Sequence, residues 1–445
     1  MEENMFTNAQ LKKMIIPLFV EQFLVLLVGI SDTFMVSYAG EAAVSGVSLV
    51  NSFNTIFIYI FTALASGGAV VISQYIGNKD NNKGSEASSQ LLMFSTAFSI
   101  ILTVLVLLGG ENMLGLLFGR VETSVMEACM TYLYITAVSF PFLAIYNAGA
   151  SVYRSMGRTK ETMYISVISN LINIIGNAIG VFVLKAGVAG VAWPSTIARI
   201  VSAIMMTRLC MHKENAVYFR KDYILEWNGS LLRKIFSIAV PNGVENGIFQ
   251  LVKVALSSIV ALFGTYQIAA NGVAQTIWSL ASVCSSAMGP VFITVIGQCM
   301  GSKDTDAAEY YFGKLLKINF VMSIVWNALI FAITPLMMPL FNLENETKQL
   351  IIILVLIHNI FNAIMMPFSG SLGNGLRAAG DVKFTMYVSV GSTIIVRLIL
   401  SYVFALTFNM GVIGIAFAMC ADWTARAIIF YIRYRKGTWK NFSVI

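Results

Sequence analysis

The chain has 445 residues, 57% hydrophobic and only 11% charged, with a mean hydropathy of +0.77. A soluble enzyme or binding domain of this length needs far more charge to stay in solution, so that class is excluded. The formal net charge of +7 lies in short joints between apolar runs, so no nucleic-acid partner is expected.

The opening residues, "MEENMFTNAQLKKM", lack a basic n-region and a small-residue cleavage site, so no removed signal peptide is expected. Apolar runs of about 20 residues follow, each long enough to cross a bilayer as a helix. They lack the alternation of an outer-membrane barrel. Spans are expected at 14–36, 48–75, 90–110, 128–150, 163–183 and 190–210. After a polar segment they resume at 235–262, 270–298, 315–338, 350–372, 384–407 and 411–432. The fold class is therefore an all-α polytopic membrane protein with about 12 transmembrane helices.

Basic residues crowd alternate joints: Lys12 and Lys13, Lys79 and Lys83, Arg154 to Lys160, Arg208 to Lys234, Lys303 to Lys317, Arg377 and Lys383, and Arg433 to Lys440. The other joints hold only Arg120, Lys185 and Lys348. The positive-inside rule then puts both termini in the cytoplasm and makes the number of spans even, in the cell's inner (plasma) membrane.

The first span, "MIIPLFVEQFLVLLVGISDTFMV" (14–36), keeps two carboxylates, Glu21 and Asp32. Each costs at least a few kcal/mol at bilayer depth. Eleven residues is three turns plus about 20°, so both lie on one helix face, roughly 16 Å apart. That face must look into protein or a cleft. The five cysteines sit singly within apolar runs, and neither His212 nor His358 has a ligand-like neighbour. No metal site and no cofactor are expected.

Shifted by 224 residues, the chain partly matches itself. Pro17 falls on Pro241 and Glu21 on Glu245, and "QYIGNKD" (74–80) falls on "QCMGSKD" (298–304). "GVAGVAW" (187–193) falls on "GVIGIAF" (411–417). "YRSMGRTKETMYIS" (153–166) matches "LRAAGDVKFTMYVS" (376–389) one residue off that shift. The expected organisation is an N-lobe (1–210), a cytoplasmic linker (211–234) with "HKENAVYFRKDY", and a C-lobe (235–445). Six spans per repeat give both lobes the same orientation, related by a pseudo-two-fold axis along the membrane normal. Two like lobes flanking a cleft suit alternating access by rocking.

The proline-started first helix ending in "DTFMVSYAG", the "QYIGNKD" joint and the "GRTK" joint together resemble the multidrug and toxic compound extrusion (MATE) family, over essentially the whole chain. The resemblance implies two six-helix lobes forming a V. It also implies export of amphipathic, usually cationic compounds, driven by inward flow of H+ or Na+. The expected partners are those small cations and membrane lipids, with the protein a monomer.

A carboxyl group held away from water favours its neutral form, which lets it exchange a proton near neutral pH. With neutral oxygens beside it, Asp32 can instead hold Na+. Ser166, Asn170, Asn173 and Asn177 recur every three or four residues, forming one polar stripe on the fifth span. Such a stripe supplies oxygens or simply knits helices together. The resemblance adds a pattern: an Asp on helix one, an Asn and a second Asp on helix five, and a Thr on helix six. Asp32, Asn173 and Thr196 match it. Asn177 stands where the second Asp would be, which weakens a tight Na+ site and favours H+ at Asp32.

Glu21 and Glu245 each follow a proline by four residues. They face the cleft and attract cationic cargo, or pair with Lys253, or close an inner gate. Lys253 is eight residues from Glu245, about 12 Å along one helix, too far for direct contact. Where one MATE branch places a carboxylate further along helix seven, this chain has Phe249. In the second repeat Arg397 replaces Asn173 and Ser401 replaces Asn177, and Arg426 follows Asp422 by one turn. A buried Arg397–Asp422–Arg426 cluster with a structural role is expected, leaving the coupling ion to the first lobe.

The 23 Met and 30 Phe suit an adaptable cavity, or lipid-facing and core packing. The alternative function is a flippase for lipids or lipid-linked saccharides, which needs a cationic cavity for a phosphate headgroup. A membrane-embedded enzyme lacks any HExxH, in-span GxSxG or paired-Asp motif, so no catalytic residue is expected. No Walker A sequence is present, so ATP is not the energy source. A channel has no need of two lobes.

Overall fold

The computed structural model describes residues 5–119, 122–341 and 343–445 and contains helices and no strand among them. Arg120, one of the sparse basic residues of the outer joints, lies outside the described residues. The chain divides into two compact units, Lys12–Val240 and Pro241–Ile445, the latter joined by Met1–Leu11. That division passes through Pro241, inside a helix.

The first unit is built from α1 (Asn8–Ser37), α2 (Glu41–Gly77), α3 (Asn81–Phe118), α4 (Thr123–Ala137), α5 (Phe140–Ser155), α6 (Thr159–Ala178) and α7 (Ala189–Cys210). A π-helical stretch, Ile179–Val183, continues α6. Phe53, Phe57, Phe61 and Phe140 anchor an apolar core with Val50, Leu114 and Leu133. Segment 211–234, which includes α8 (Lys221–Leu225), folds back onto α3. The Tyr218 and Arg220 amides donate to Ser85 and Ser89 hydroxyls at 3.2 and 2.9 Å, and the Asn228 side chain donates to Glu86 at 2.6 Å.

The second unit carries most of α9 (Gly229–Val260), then α10 (Thr265–Ala281), α11 (Val283–Gly301), α12 (Thr305–Met337), α13 (Asn345–Met366), α14 (Leu372–Ala379) and α15 (Val382–Gly391). α16 (Leu400–Tyr402) and α17 (Val412–Arg435) complete it. π-Helical stretches at Pro367–Ser371, Ser392–Ile399 and Val403–Thr407 join several of these into long continuous rods. Its core gathers Ala270, Ala274, Ile277, Ile351 and Leu354.

Among the described residues ten helices are long and apolar enough to cross a membrane, and eleven spans result if α4 and α5, bent by 46°, count as one. The expected span at 235–262 is present as a 32-residue helix, α9. Its middle carries Pro241, Asn242, Glu245, Asn246, Gln250 and Lys253, which makes it too polar to join that set. Leu108, Leu116 and Leu336 stand more than 75% exposed along the rods, which lipid accommodates and water does not.

The repeated joints have a local physical cause. Lys79 and Lys303 both adopt positive φ, 58° and 61°, turning the chain out of one helix. Asp80 and Asp304 then cap the next, accepting the amides of Lys83 and Ala307 at 3.1 and 2.8 Å. These caps open α3 and α12. Gly187 and Gly411, both at φ +60°, make another repeated turn, where a side chain is disfavoured.

Candidate functional site

Glu21 and Asp32 project from α1 into one cavity of about 310 Å³ inside the first unit. Its walls include Asn51 of α2, Tyr132 of α4, Tyr146 of α5, Asn170 and Asn173 of α6, and Ser195 and Arg199 of α7. The apolar Val25 and Val28 separate the two carboxylates along α1. The polar stripe on α6 faces this space, with Ser166, Ser169, Asn170 and Asn173 on its surface.

At one end Glu21 is almost completely enclosed. Arg154 donates to its Oε1 at 2.6 Å, Tyr146 donates to the same oxygen at 3.2 Å, and Thr162 donates to Oε2 at 3.3 Å. The second unit repeats this arrangement. Arg377 donates to both oxygens of Glu245, at 2.7 and 2.5 Å. Each pair ties the first long helix of its repeat to the end of the fourth span. Lys253 takes no part: it is exposed, two turns beyond Glu245. The aligned repeats carry the signal for these pairs, because Arg154 and Arg377 sit at equivalent places in the two "YRSMG" and "LRAAG" joints. Arg377 meets both oxygens of Glu245 through one nitrogen, Nη2, whereas Arg154 meets one oxygen of Glu21.

At the other end Asp32 belongs to a chain of amides. Asn177 Nδ2 donates to Asp32 Oδ1 at 2.6 Å and to Asn173 Oδ1 at 2.9 Å. Asn173 Nδ2 in turn donates to Ser195 Oγ at 2.9 Å. Asn177 is fully buried, and its own carbonyl oxygen has no hydrogen-bond partner. Among the described residues no ion pair reaches Asp32.

Thr196, expected beside Asp32, is not on the cavity wall. Its hydroxyl donates to the Ile135 carbonyl at 3.1 Å, and its neighbour Ser195 meets the α6 asparagines instead. One residue turns a helix by about 100°, enough to move a side chain from one face to another.

Arg199 was not anticipated. It lines the same cavity as Asp32 and donates to the Ser139 hydroxyl at 2.7 Å. Its signal is a guanidinium in the middle of the apolar run 190–210, whose other arginine, Arg208, lies near the end, and the membrane penalises that placement. Tyr132, which donates to Asn51 Oδ1 at 3.2 Å, was likewise unmarked.

In the second unit, Arg397 and Arg426 both donate to Asp422 Oδ2, at 2.8 and 2.9 Å. Ser392 donates to Asp422 Oδ1 at 2.5 Å. Phe249 lies under the Arg397 guanidinium, 4.9 Å from it. Ser401 is buried, and its hydroxyl has no partner.

The fold agrees with comparisons to known proteins. An uncharacterized transporter of Bacillus subtilis, YisQ, is 26% identical over 95% of this chain and 93% of its own length. A probable multidrug resistance protein, NorM, of Thermotoga maritima is 22% identical over 98% of this chain and 94% of its own. A solved outward-facing conformation of a multidrug resistance MATE family transporter of the MOP superfamily shares the fold. It has a TM-score of 0.90 at 18% identity, over 96% of this chain and 95% of that one. The MatE family model matches residues 17–179 and again 241–403, the same 224-residue offset at which the sequence matches itself. The chain belongs to the MATE family of multi-pass membrane transporters and is not an enzyme.

Proposed function

We propose that the protein is a secondary antiporter that exports amphipathic cationic compounds from the cell in exchange for H+, with Asp32 carrying the proton. The observation that carries this reading is the setting of Asp32. It faces a cavity, is held by a single amide, and has no cation paired with it among the described residues. A carboxyl group in that setting can alternate between charged and neutral forms without breaking the scaffold. Glu21, in contrast, is committed to Arg154.

One feature favours H+ over Na+: the position next to Asp32 is an amide, Asn177, so the site has one carboxylate. Names of relatives support the cargo class: NorM of Thermotoga maritima is described as a probable multidrug resistance protein. The expected setting is the plasma membrane with both termini in the cytoplasm, where the basic joints would lie.

Efflux of ethidium from proteoliposomes tests the reading, with a pH gradient and a Na+ gradient imposed separately on wild type and Asp32→Asn. The pH gradient is expected to drive wild-type efflux, and the variant is expected to lose at least tenfold. If neither gradient moves the cation, the antiporter reading fails. If Asp32→Asn performs as wild type, Asp32 is not the coupling group.

A further inference from the structure

The second unit holds a charge imbalance for which proton-coupled cation export has no use. Asp422 is fully buried and Arg397 only 4% exposed. Asp422 uses Oδ2 on both Arg397 and Arg426 and Oδ1 on Ser392. Two guanidinium groups against one carboxylate leave one positive charge over. The Nε of each arginine is also buried with no hydrogen-bond partner. So are both ring nitrogens of His358 and the indole nitrogen of Trp278, whose rings lie 6.4 and 5.7 Å from that of Trp423. Lys253 follows Phe249 by one turn of α9 and adds further positive charge to that face.

An uncompensated buried charge is strongly unfavourable, and so is each buried donor lacking an acceptor. One bound anion offsets the excess charge and supplies an acceptor for guanidinium donors. The cluster is not common scaffold, since Asn173, Ala198 and Ser202 occupy the equivalent positions of the first repeat. Arg397 also sits on a π-helical stretch, a rare conformation found disproportionately at functional sites.

We propose that Arg397 and Arg426 form a binding site for a monovalent anion, either a free halide or a carboxylate group carried by the cargo. The second source rests on the transporter reading above, and the first does not.

The test uses full-length purified protein at constant Na+ concentration and pH, with neither gradient nor transported cation. Thermal unfolding is followed as sodium sulfate is replaced by sodium bromide or sodium benzoate at matched ionic strength. A saturable rise of the midpoint is expected in wild type, with apparent affinity at least tenfold weaker in Arg426→Gln. A response to bromide assigns the site to free halide, and a response to benzoate alone assigns it to carboxylated cargo. No saturable response to either anion, or equal responses in wild type and variant, overturns the proposal. Should Arg426→Gln fail to fold, anomalous diffraction from bromide-soaked wild-type crystals decides. A bromide peak within contact of the two guanidinium groups supports the site, and its absence there, together with no benzoate response, overturns it. Because no transport is measured, a protein that fails to pump can still bind the anion.

Discussion

Replacing Asn177 with Asp tests whether the amide beside Asp32 sets the choice of ion. Asn177 Nδ2 donates to Asp32 Oδ1 at 2.6 Å, so the substitution puts a second carboxylate in that place. Two ionised carboxylates about 4 Å apart repel by about 4 kcal/mol at an effective dielectric constant of about 20. That corresponds to roughly a thousandfold in an equilibrium constant. Arg199, in the same cavity, offsets part of it, so this is an upper value. The pair relieves the strain by sharing a proton or by taking up a cation. The Asn173 carbonyl and Ser195 hydroxyl stand next in the chain to complete a shell of oxygens for Na+. The variant should therefore gain a Na+-dependent stability that wild type lacks. At a Na+ concentration 100 times its dissociation constant, the gain is about 2.7 kcal/mol. The assay is the unfolding midpoint in NaCl against choline chloride, followed by Na+-driven efflux in proteoliposomes. An Asn177→Asp protein with wild-type Na+ response and undiminished H+-driven efflux would refute the assignment of this amide to the coupling site.

Three further substitutions separate scaffold from site. Glu245→Gln removes the carboxylate held by Arg377 and should cost about 3–5 kcal/mol, read as a lowered unfolding midpoint. The double variant Glu245→Gln/Arg377→Met should recover much of that loss. Ser195→Ala breaks the contact with Asn173 and should slow H+-driven efflux severalfold, whereas Thr196→Val should leave its rate within about twofold of wild type. An equal effect of both on efflux would restore Thr196 to the site. Gly180→Ala would drive a methyl group into the Gly190 backbone, where the end of the fifth span crosses α7. Little monodisperse protein is expected on size-exclusion chromatography, and a normal yield would show that the two backbones can separate.

Much of this organisation was readable from local pattern. Apolar length marks the rods, and the 224-residue self-match marks the duplication. The Lys-Asp joints show as repeated pairs because a left-handed lysine and an aspartate cap are both local features. The site was only partly readable, because its contacts join residues far apart in the chain. Asp32 and the α6 asparagines stood out as polar groups in apolar runs, and they do meet. The partner of Glu21 lies 133 residues away, so helix periodicity could not supply it, although comparison of the repeats could. The choice between Ser195 and Thr196 turns on the rotation of α7, which Pro194 and the close contact with α6 determine. Arg199 is harder to read because its partner, Ser139, lies 60 residues away and no spacing along its own helix marks it.

The duplicated glutamate–arginine pair has a consequence for how such a protein can change. Each half is fastened by its own copy, roughly three helical turns from position 32 and its counterpart, Leu256. Neither glutamate–arginine contact involves position 32, 173 or 177, so these can acquire or lose charge while each half keeps its hold. One half has come to carry an aspartate and amides, the other arginines, on the same framework. A lineage built this way can change the polar groups facing its cavity by a few substitutions while the fold keeps both fastenings.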